Sequence, residues 1–367
     1  MKATRRLHDL GQSLWLDSIS RRILDDGTLR RYINEFSITG LTSNPTIFDE
    51  AIGSGDTYDD SIRTLAADGK AGEALFVELA LDDLRRAADL FRPIFDSTDQ
   101  IDGWASMELS PLLAGDTVGS VESAERIYRQ ADRPNLFVKI PGTPAGVGAI
   151  EESIFAGVPI NVTLLFSREQ YLASAEAYLR GIERRIAAGL DPGVASVASV
   201  FVSRWDKAVA EKVPPTLHNR LGIAVAGVTY VAYRELLASD RWRVLERAGA
   251  KPQRLLWGST GTKDPNASDT LYLEALAAPD TINTIPEKTL RAFADHGKLR
   301  DPMARDGADS EQMLATFEKQ GIEITALAAK LQREGAEAFV KSWKSLLGRI
   351  AEKSEVLSDD VIRSGSR

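Results

Sequence analysis

Short apolar runs alternate along the chain with longer stretches whose apolar positions recur at helical spacing. The first run is Leu14-Trp15-Leu16-Asp17, followed by a polar helical segment from about Gly27 to Glu35. The second, Phe36 to Leu41, is broken by Thr42-Ser43-Asn44-Pro45. Residues from roughly 56 to 96 carry a helical period that predicts a buried stripe including Leu75, Leu79, Leu84 and Leu90. A third strand is predicted over Gly103–Leu109, stopped by Ser110-Pro111, with a helix near Val121 to Ala131. The fourth is Asn135 to Gly142, after which the glycines of Gly142-Thr143-Pro144-Ala145-Gly146-Val147-Gly148 read as turn chemistry leading into a helix. The fifth is Val158–Phe166, followed by a helix to about Ala188 that opens at the capping candidate Ser167. The sixth is Val194–Phe201, with Arg204 just beyond, before a helical stretch at about 207–249. The seventh, Arg254–Trp257, opens into Gly258-Ser259-Thr260-Gly261-Thr262-Lys263. The eighth, Thr281–Ile285, is stopped by Pro286 and followed by a helix to about His296. From about Glu311 to Leu357 the pattern is helical, with Phe339, Trp343, Leu346 and Ile350 predicted to pack one face on the rest. The end, Ser364 to Arg367, is expected to fray.

Strands alternating with helices in this way predict an α/β fold, a parallel (β/α)8 barrel of the TIM type. A doubly wound nucleotide-binding sheet fits less well, because no glycine-rich first turn marks a crevice and the 142–148 glycines match neither a P-loop nor a dinucleotide fingerprint. A chain of 367 residues is within the range of such a barrel. With no repeat or low-complexity linker, the expectation is one domain over 1–367, with a helical insertion at about 207–249 and a C-terminal helical extension at about 309–357.

Composition narrows the function. At 43% hydrophobic and 27% charged residues the chain reads as an ordinary soluble globular protein, and no apolar run approaches the roughly 18 residues of a membrane span. The first residues, to about 20, are basic but lack the apolar segment of a signal peptide. There is no cysteine, so neither a disulfide framework nor a thiolate nucleophile exists, which suits a cytoplasmic location. His8, His218 and His296 are too scattered for metal-ligand spacing, which disfavours a zinc-dependent chemistry. A net charge of −8 argues against a broad nucleic-acid surface, so any anionic ligand must be captured locally.

The chemistry concentrates at strand ends. Lys139 lies inside the apolar fourth strand, where burial of an ammonium is costly unless the amine is used with a pKa lowered by a dry pocket. The competing reading is a lysine that snorkels out at a strand terminus. Asp17, Asn44, Glu108, Lys139, Thr163, Ser199 and Ser259 each fall at or just after the carboxyl end of a predicted strand, the face where such barrels carry their active sites. Singly, Asn44 followed by Pro45 also reads as a helix cap, and Glu108 as a solvated rim residue. Together they predict one polar pocket.

These same residues carry a resemblance. Leu14-Trp15-Leu16-Asp17, Gly40-Leu41-Thr42-Ser43-Asn44-Pro45, the Glu108 strand, Val138-Lys139-Ile140-Pro141, Asn161 to Phe166, and Ser199-Val200-Phe201-Val202-Ser203-Arg204 resemble the motifs of the transaldolases, in order and over about residues 10 to 300. The resemblance implies a class I aldolase barrel. It would move a dihydroxyacetone unit from a ketose phosphate, sedoheptulose 7-phosphate or fructose 6-phosphate, to an aldose phosphate, as in the pentose phosphate pathway. It implies that Lys139 forms the Schiff base and Asp17 is the base during carbon–carbon cleavage. Glu108 and Thr163 would hold a proton-shuttling water, and Asn44 and Ser199 would bind the dihydroxyacetone hydroxyls. No metal or organic cofactor is implied. The partners expected are sugar phosphates, with a homodimer among the assemblies allowed.

The phosphate end departs from the family pattern. Arg204 matches the arginine after the sixth strand, but the second arginine expected soon after Ser259 is absent, and Lys263 is the substitute in that loop. A solvated loop lysine is the alternative reading there. Two other functions stay open: a fructose-6-phosphate aldolase, which releases dihydroxyacetone, and a non-catalytic sugar-phosphate-binding barrel. Glu108 and the chain length favour transaldolase over the first, and the pairing of Asp17 with Lys139 disfavours the second.

Overall fold

The computed structural model describes residues 2–299 and 301–365, with side chains as far as 358. Among these residues are eight strands: β1 (Ser13–Asp17), β2 (Ile38–Thr42), β3 (Ala105–Glu108), β4 (Leu136–Pro141), β5 (Ile160–Leu165), β6 (Ser196–Phe201), β7 (Gln253–Gly258) and β8 (Thr281–Ile285). All pair in parallel, in the order β2-β1-β8-β7-β6-β5-β4-β3. The ring closes between the two ends of that order. Leu41 N–H donates to Trp104 O at 2.9 Å, Gly103 N–H to Thr39 O at 3.0 Å, and Ser43 N–H to Ser106 O at 3.3 Å. This is the expected (β/α)8 barrel, with helices such as Gly72–Ser97, Pro144–Ala156 and Arg168–Ala187 on its outside.

Strand alternation decides where the site lies. Successive side chains point to opposite faces, so residues two apart share the barrel interior. Trp15, Phe137, Val197, Leu256 and Ile282, with Phe95 and Trp104, form one buried apolar cluster inside the barrel. Trp104 stacks on Phe137 at 4.0 Å. Two residues further along the same strands stand Asp17, Lys139, Ser199, Gly258 and Thr284. The apolar cluster is therefore the floor on which the polar residues sit. Gly40 makes room for that floor: a Cβ there would lie 2.7 Å from Trp104 O and 2.7 Å from the Trp15 indole nitrogen.

Several boundaries differ from the sequence reading. β2 begins at Ile38, because Phe36 ends the helix Thr28–Phe36 and stacks on Tyr32 at 5.3 Å. β5 begins at Ile160. Gly146 and Gly148 are not turn residues but lie within Pro144–Ala156, a helix capped by the Thr143 hydroxyl. The reason is packing, since a Cβ on Gly146 would fall 1.8 Å from Pro141 O. The short helices Ala3–Asp9 and Leu271–Ala275 had no periodic signature long enough to predict, whereas Pro45–Gly53 begins where Asn44-Pro45 reads as a cap.

The stretch Pro215–Ala238 meets the length and composition of a membrane span, with a mean hydropathy of 1.3, contrary to the expectation that no such run exists. In the structure 61% of that window is buried inside the protein. Its helix Leu221–Ala238 packs against Arg168–Ala187 and Ser310–Lys319, so it is a core helix.

The C-terminal helix Ile324–Gly365 lies against Pro45–Gly53, Asp59–Ala67 and Gly72–Ser97. Its predicted face is buried: Trp343, Leu346 and Ile350 are each at most 1% exposed, and Trp343 meets Phe76 edge-on at 5.1 Å. Ser366 and Arg367, part of the end expected to fray, lie outside the described residues.

Candidate active site

Lys139 does not snorkel. It is 5% exposed, and its Nζ lies 2.6 Å from Glu108 Oε2 and donates to Ser43 O at 3.0 Å. Register explains the pairing, because Glu108 on β3 is the direct cross-strand partner of Lys139 on β4. Glu108 is equally buried, at 7% exposed, and is not a solvated rim residue. Burial pushes its carboxyl pKa up, while the Lys139 ammonium pulls it back. Removing either member of such a pair would leave an uncompensated buried charge, worth about 3–5 kcal/mol.

Asp17, at the end of β1, accepts a hydrogen bond from Thr42 Oγ1 at 2.8 Å. Burial raises its pKa as well, opposed first by Lys139, then by the Thr42 hydrogen bond, then by Lys263. Thr42 Oγ1 also lies 2.7 Å from Thr284 Oγ1. Thr163 is fully buried on β5, and its Oγ1 has no hydrogen-bond partner among the described residues. Its neighbour Leu164 has φ +58°, and the β5–β6 register shifts between Val162 and Leu165. This irregularity lies beside the pocket, a common place for a bulge that re-aims side chains.

A cavity of about 130 Å³ at the carboxyl end of the barrel is lined by Asp17, Asn44, Lys139, Thr163, Ser199, Arg204, Ser259 and Lys263. Glu108 adjoins it through Lys139. The Asn44 Oδ1 accepts from Ile47 N–H at 3.1 Å, so its cap reading holds for the oxygen, while the side chain still borders the cavity. Ser199 Oγ donates to Asn161 Oδ1 at 2.7 Å, and Asn161 Nδ2 donates to Ser106 Oγ at 3.0 Å, a polar chain under the pocket. Ser259, at φ +54°, lies 2.9 Å from Ser203 through the two hydroxyls.

Arg204 is the second residue of the helix Ser203–Val209. Its guanidinium carbon is 5.3 Å from the Phe201 ring and 6.0 Å from the Phe339 ring. Burial holds its pKa below the ordinary arginine value, with Glu334 opposing. A planar cation lining a cavity suits a bidentate anion. Lys263 lines the same cavity and its charge reaches Asp17.

Sequence reasoning missed Thr42, Thr284, Phe201 and Phe339 as cavity residues. Thr42 and Thr284 could have been found from strand parity, since Thr42 ends β2 and Thr284 stands one residue before the end of β8, two positions after the interior Ile282. Phe339 carried no such signal, because its helical spacing pointed only to core.

A family model described as Transaldolase/Fructose-6-phosphate aldolase matches residues 14–350 of this chain. The transaldolase of Saccharopolyspora erythraea is 43% identical over 354 residues, covering 95% of this chain and 96% of the relative. That of Thermobifida fusca is 42% identical over 358 residues, with 95% and 97% covered. Transaldolase 1 of Streptomyces coelicolor is 42% identical over 357 residues, with 95% and 94% covered.

Proposed function

Because the chain belongs to the transaldolase/fructose-6-phosphate aldolase family, we propose that it acts as a transaldolase through a Schiff base on Lys139. As a transferase it moves a dihydroxyacetone unit from a ketose phosphate to an aldose phosphate. Above all, a buried amine lies 2.6 Å from a buried carboxylate, in contact with a polar cavity that also holds Asp17. That arrangement can shed the amine's proton without water, which nucleophilic attack requires.

Lys139 donates its proton to Glu108, 2.6 Å away, whose carboxyl pKa burial pushes up, so that it can take and return the proton. The neutral amine attacks the ketose carbonyl carbon, and loss of water leaves an iminium. Asp17 then removes the proton of the hydroxyl two carbons away. The carbon–carbon bond between them breaks, its electron pair flows into the iminium to give an enamine, and the aldehyde departs. An acceptor aldehyde enters, the enamine carbon attacks it, and Asp17 returns the proton to the new hydroxyl. Hydrolysis frees Lys139. Glu108 and Thr163 hold the water that shuttles protons in these steps, a role to which the unpaired Thr163 hydroxyl is suited.

Asn44 and Ser199 bind the hydroxyls of the dihydroxyacetone unit, so the enamine is held until an acceptor arrives. Arg204 takes the phosphate, with Ser259 and Lys263 completing that end. The donor, sedoheptulose 7-phosphate or fructose 6-phosphate, belongs to the non-oxidative pentose phosphate pathway, with a cytoplasmic location. We read the chain as a single domain, with a homodimer among the assemblies allowed. A coupled assay that compares transfer to an aldose phosphate with release of free dihydroxyacetone tests the function. Transfer must dominate; release at an equal or greater rate would make the enzyme a lyase.

A further inference from the structure

Gln332 stands on the C-terminal helix Ile324–Gly365, 9% exposed, outside the barrel strands and outside the cavity lining. Its side-chain nitrogen donates to Gly142 O at 2.9 Å and to Leu164 O at 3.0 Å. Those two carbonyls belong to adjacent strand ends: Gly142 follows the last residue of β4, and Leu164 follows Thr163 in β5. The same strand ends are joined by Gly142 N–H donating to Thr163 O at 2.8 Å. Leu164 is a non-glycine residue at φ +58°, a conformation that persists only where the surroundings hold it. Thr163, immediately before it, has no hydrogen bond of its own to fix its hydroxyl among the described residues. Its direction is therefore set by the backbone on which it sits.

We propose that Gln332 is a positioning residue: by donating both amide hydrogens to the carbonyls of Gly142 and Leu164, it fixes the carboxyl ends of β4 and β5 and so the placement of Lys139 against Thr163. The C-terminal helix is then a working part of the reaction centre. This rests on the reading of Lys139 and Thr163 as Schiff-base machinery. Gln332 touches no reacting atom, so its loss acts on the rate of the covalent steps and spares substrate affinity.

The test uses the full chain with fructose 6-phosphate as donor. Gln332→Met keeps the length of the side chain and deletes both donors. The expected result is a fall in kcat, and in the single-turnover rate of borohydride-trappable adduct formation, on the order of 10-fold with KM nearly unchanged, since a sub-ångström misplacement already costs rate. An unchanged kcat and adduct rate overturns the proposal. Gln332→Glu gives a second readout that a merely structural role would not move. The protonated acid can still donate to one carbonyl, whereas the ionised form repels both. The ratio of its kcat to that of the unaltered enzyme should therefore fall as pH rises, and a flat ratio overturns the proposal even if Gln332→Met fails to fold. Absence of any adduct in the unaltered enzyme would instead sink the Schiff-base reading beneath it.

Discussion

Gly335→Ala is the sharpest perturbation of the phosphate end. Gly335 lies on the C-terminal helix, and a Cβ there would sit 3.0 Å from Arg204 Nη1 and 2.9 Å from Leu164 Cδ2. Non-bonded atoms need about 3.5–4 Å, so the guanidinium head must retreat by roughly half an ångström or more. Both obstructing atoms are side-chain ends, which move cheaply. Ala also gains about 1 kcal/mol of helix propensity over Gly, against an overpacking penalty of about 1–3 kcal/mol. Stability should therefore fall by no more than about 2 kcal/mol, and the functional effect should fall on Arg204. A charge-assisted hydrogen bond contributes about 1.5–3 kcal/mol, and a displaced fork loses a large part of one, about 1–2 kcal/mol. That corresponds to a loss of roughly 5–30-fold in kcat/KM for a phosphorylated substrate. The assay compares an aldose phosphate with the same aldose lacking phosphate, as acceptors at a saturating donor concentration. The phosphorylated acceptor should lose kcat/KM and the unphosphorylated one should not. An equal loss for both, or none for either, would refute the idea that Gly335 seats the arginine.

Two further outcomes follow from the same geometry. Thr42→Val removes the hydrogen bond that favours ionised Asp17. Asp17 must be ionised to act as base and its pKa is already raised by burial, so the acid limb of the kcat profile should move to higher pH. A shift of about one unit or more is expected from the strength of a hydrogen bond to a charged group, and an unmoved limb would show that another group governs it. For phosphate capture, Arg204→Ala should raise the apparent KM for sugar phosphates more than Lys263→Ala does, because Lys263 also faces Asp17. The reverse order would exchange the two roles.

Much of this site was legible because strand parity is strict. An apolar residue followed two positions later by a polar one, as in Trp15 then Asp17, Phe137 then Lys139 and Val197 then Ser199, marks the interior face and the carboxyl rim at once. The burial of Lys139 was legible from its place inside an apolar strand, but its pairing with Glu108 could not be read, since pairing depends on register across β3 and β4, and no local pattern encodes the register between two strands. The contributions of the C-terminal helix were hidden for another reason. Gln332, Gly335 and Phe339 sit on a helix whose spacing announces only a buried face, and their value comes from the strand ends they meet, far away in sequence. Gly146 misled because a glycine admitted into a helix for close approach looks, in sequence, like one placed for a turn.

Borohydride reduction in the presence of fructose 6-phosphate, followed by peptide mass analysis, tests the central claim most directly. Two lysines line the cavity, Lys139 and Lys263, and among the described residues it is Lys139 that forms a close ion pair, at 2.6 Å from Glu108. The reduced dihydroxyacetone adduct should fall on the peptide bearing Lys139, should vanish in Lys139→Ala, and should persist in Asp17→Ala despite poor turnover. An adduct on Lys263, or normal turnover in Lys139→Ala, would contradict the account.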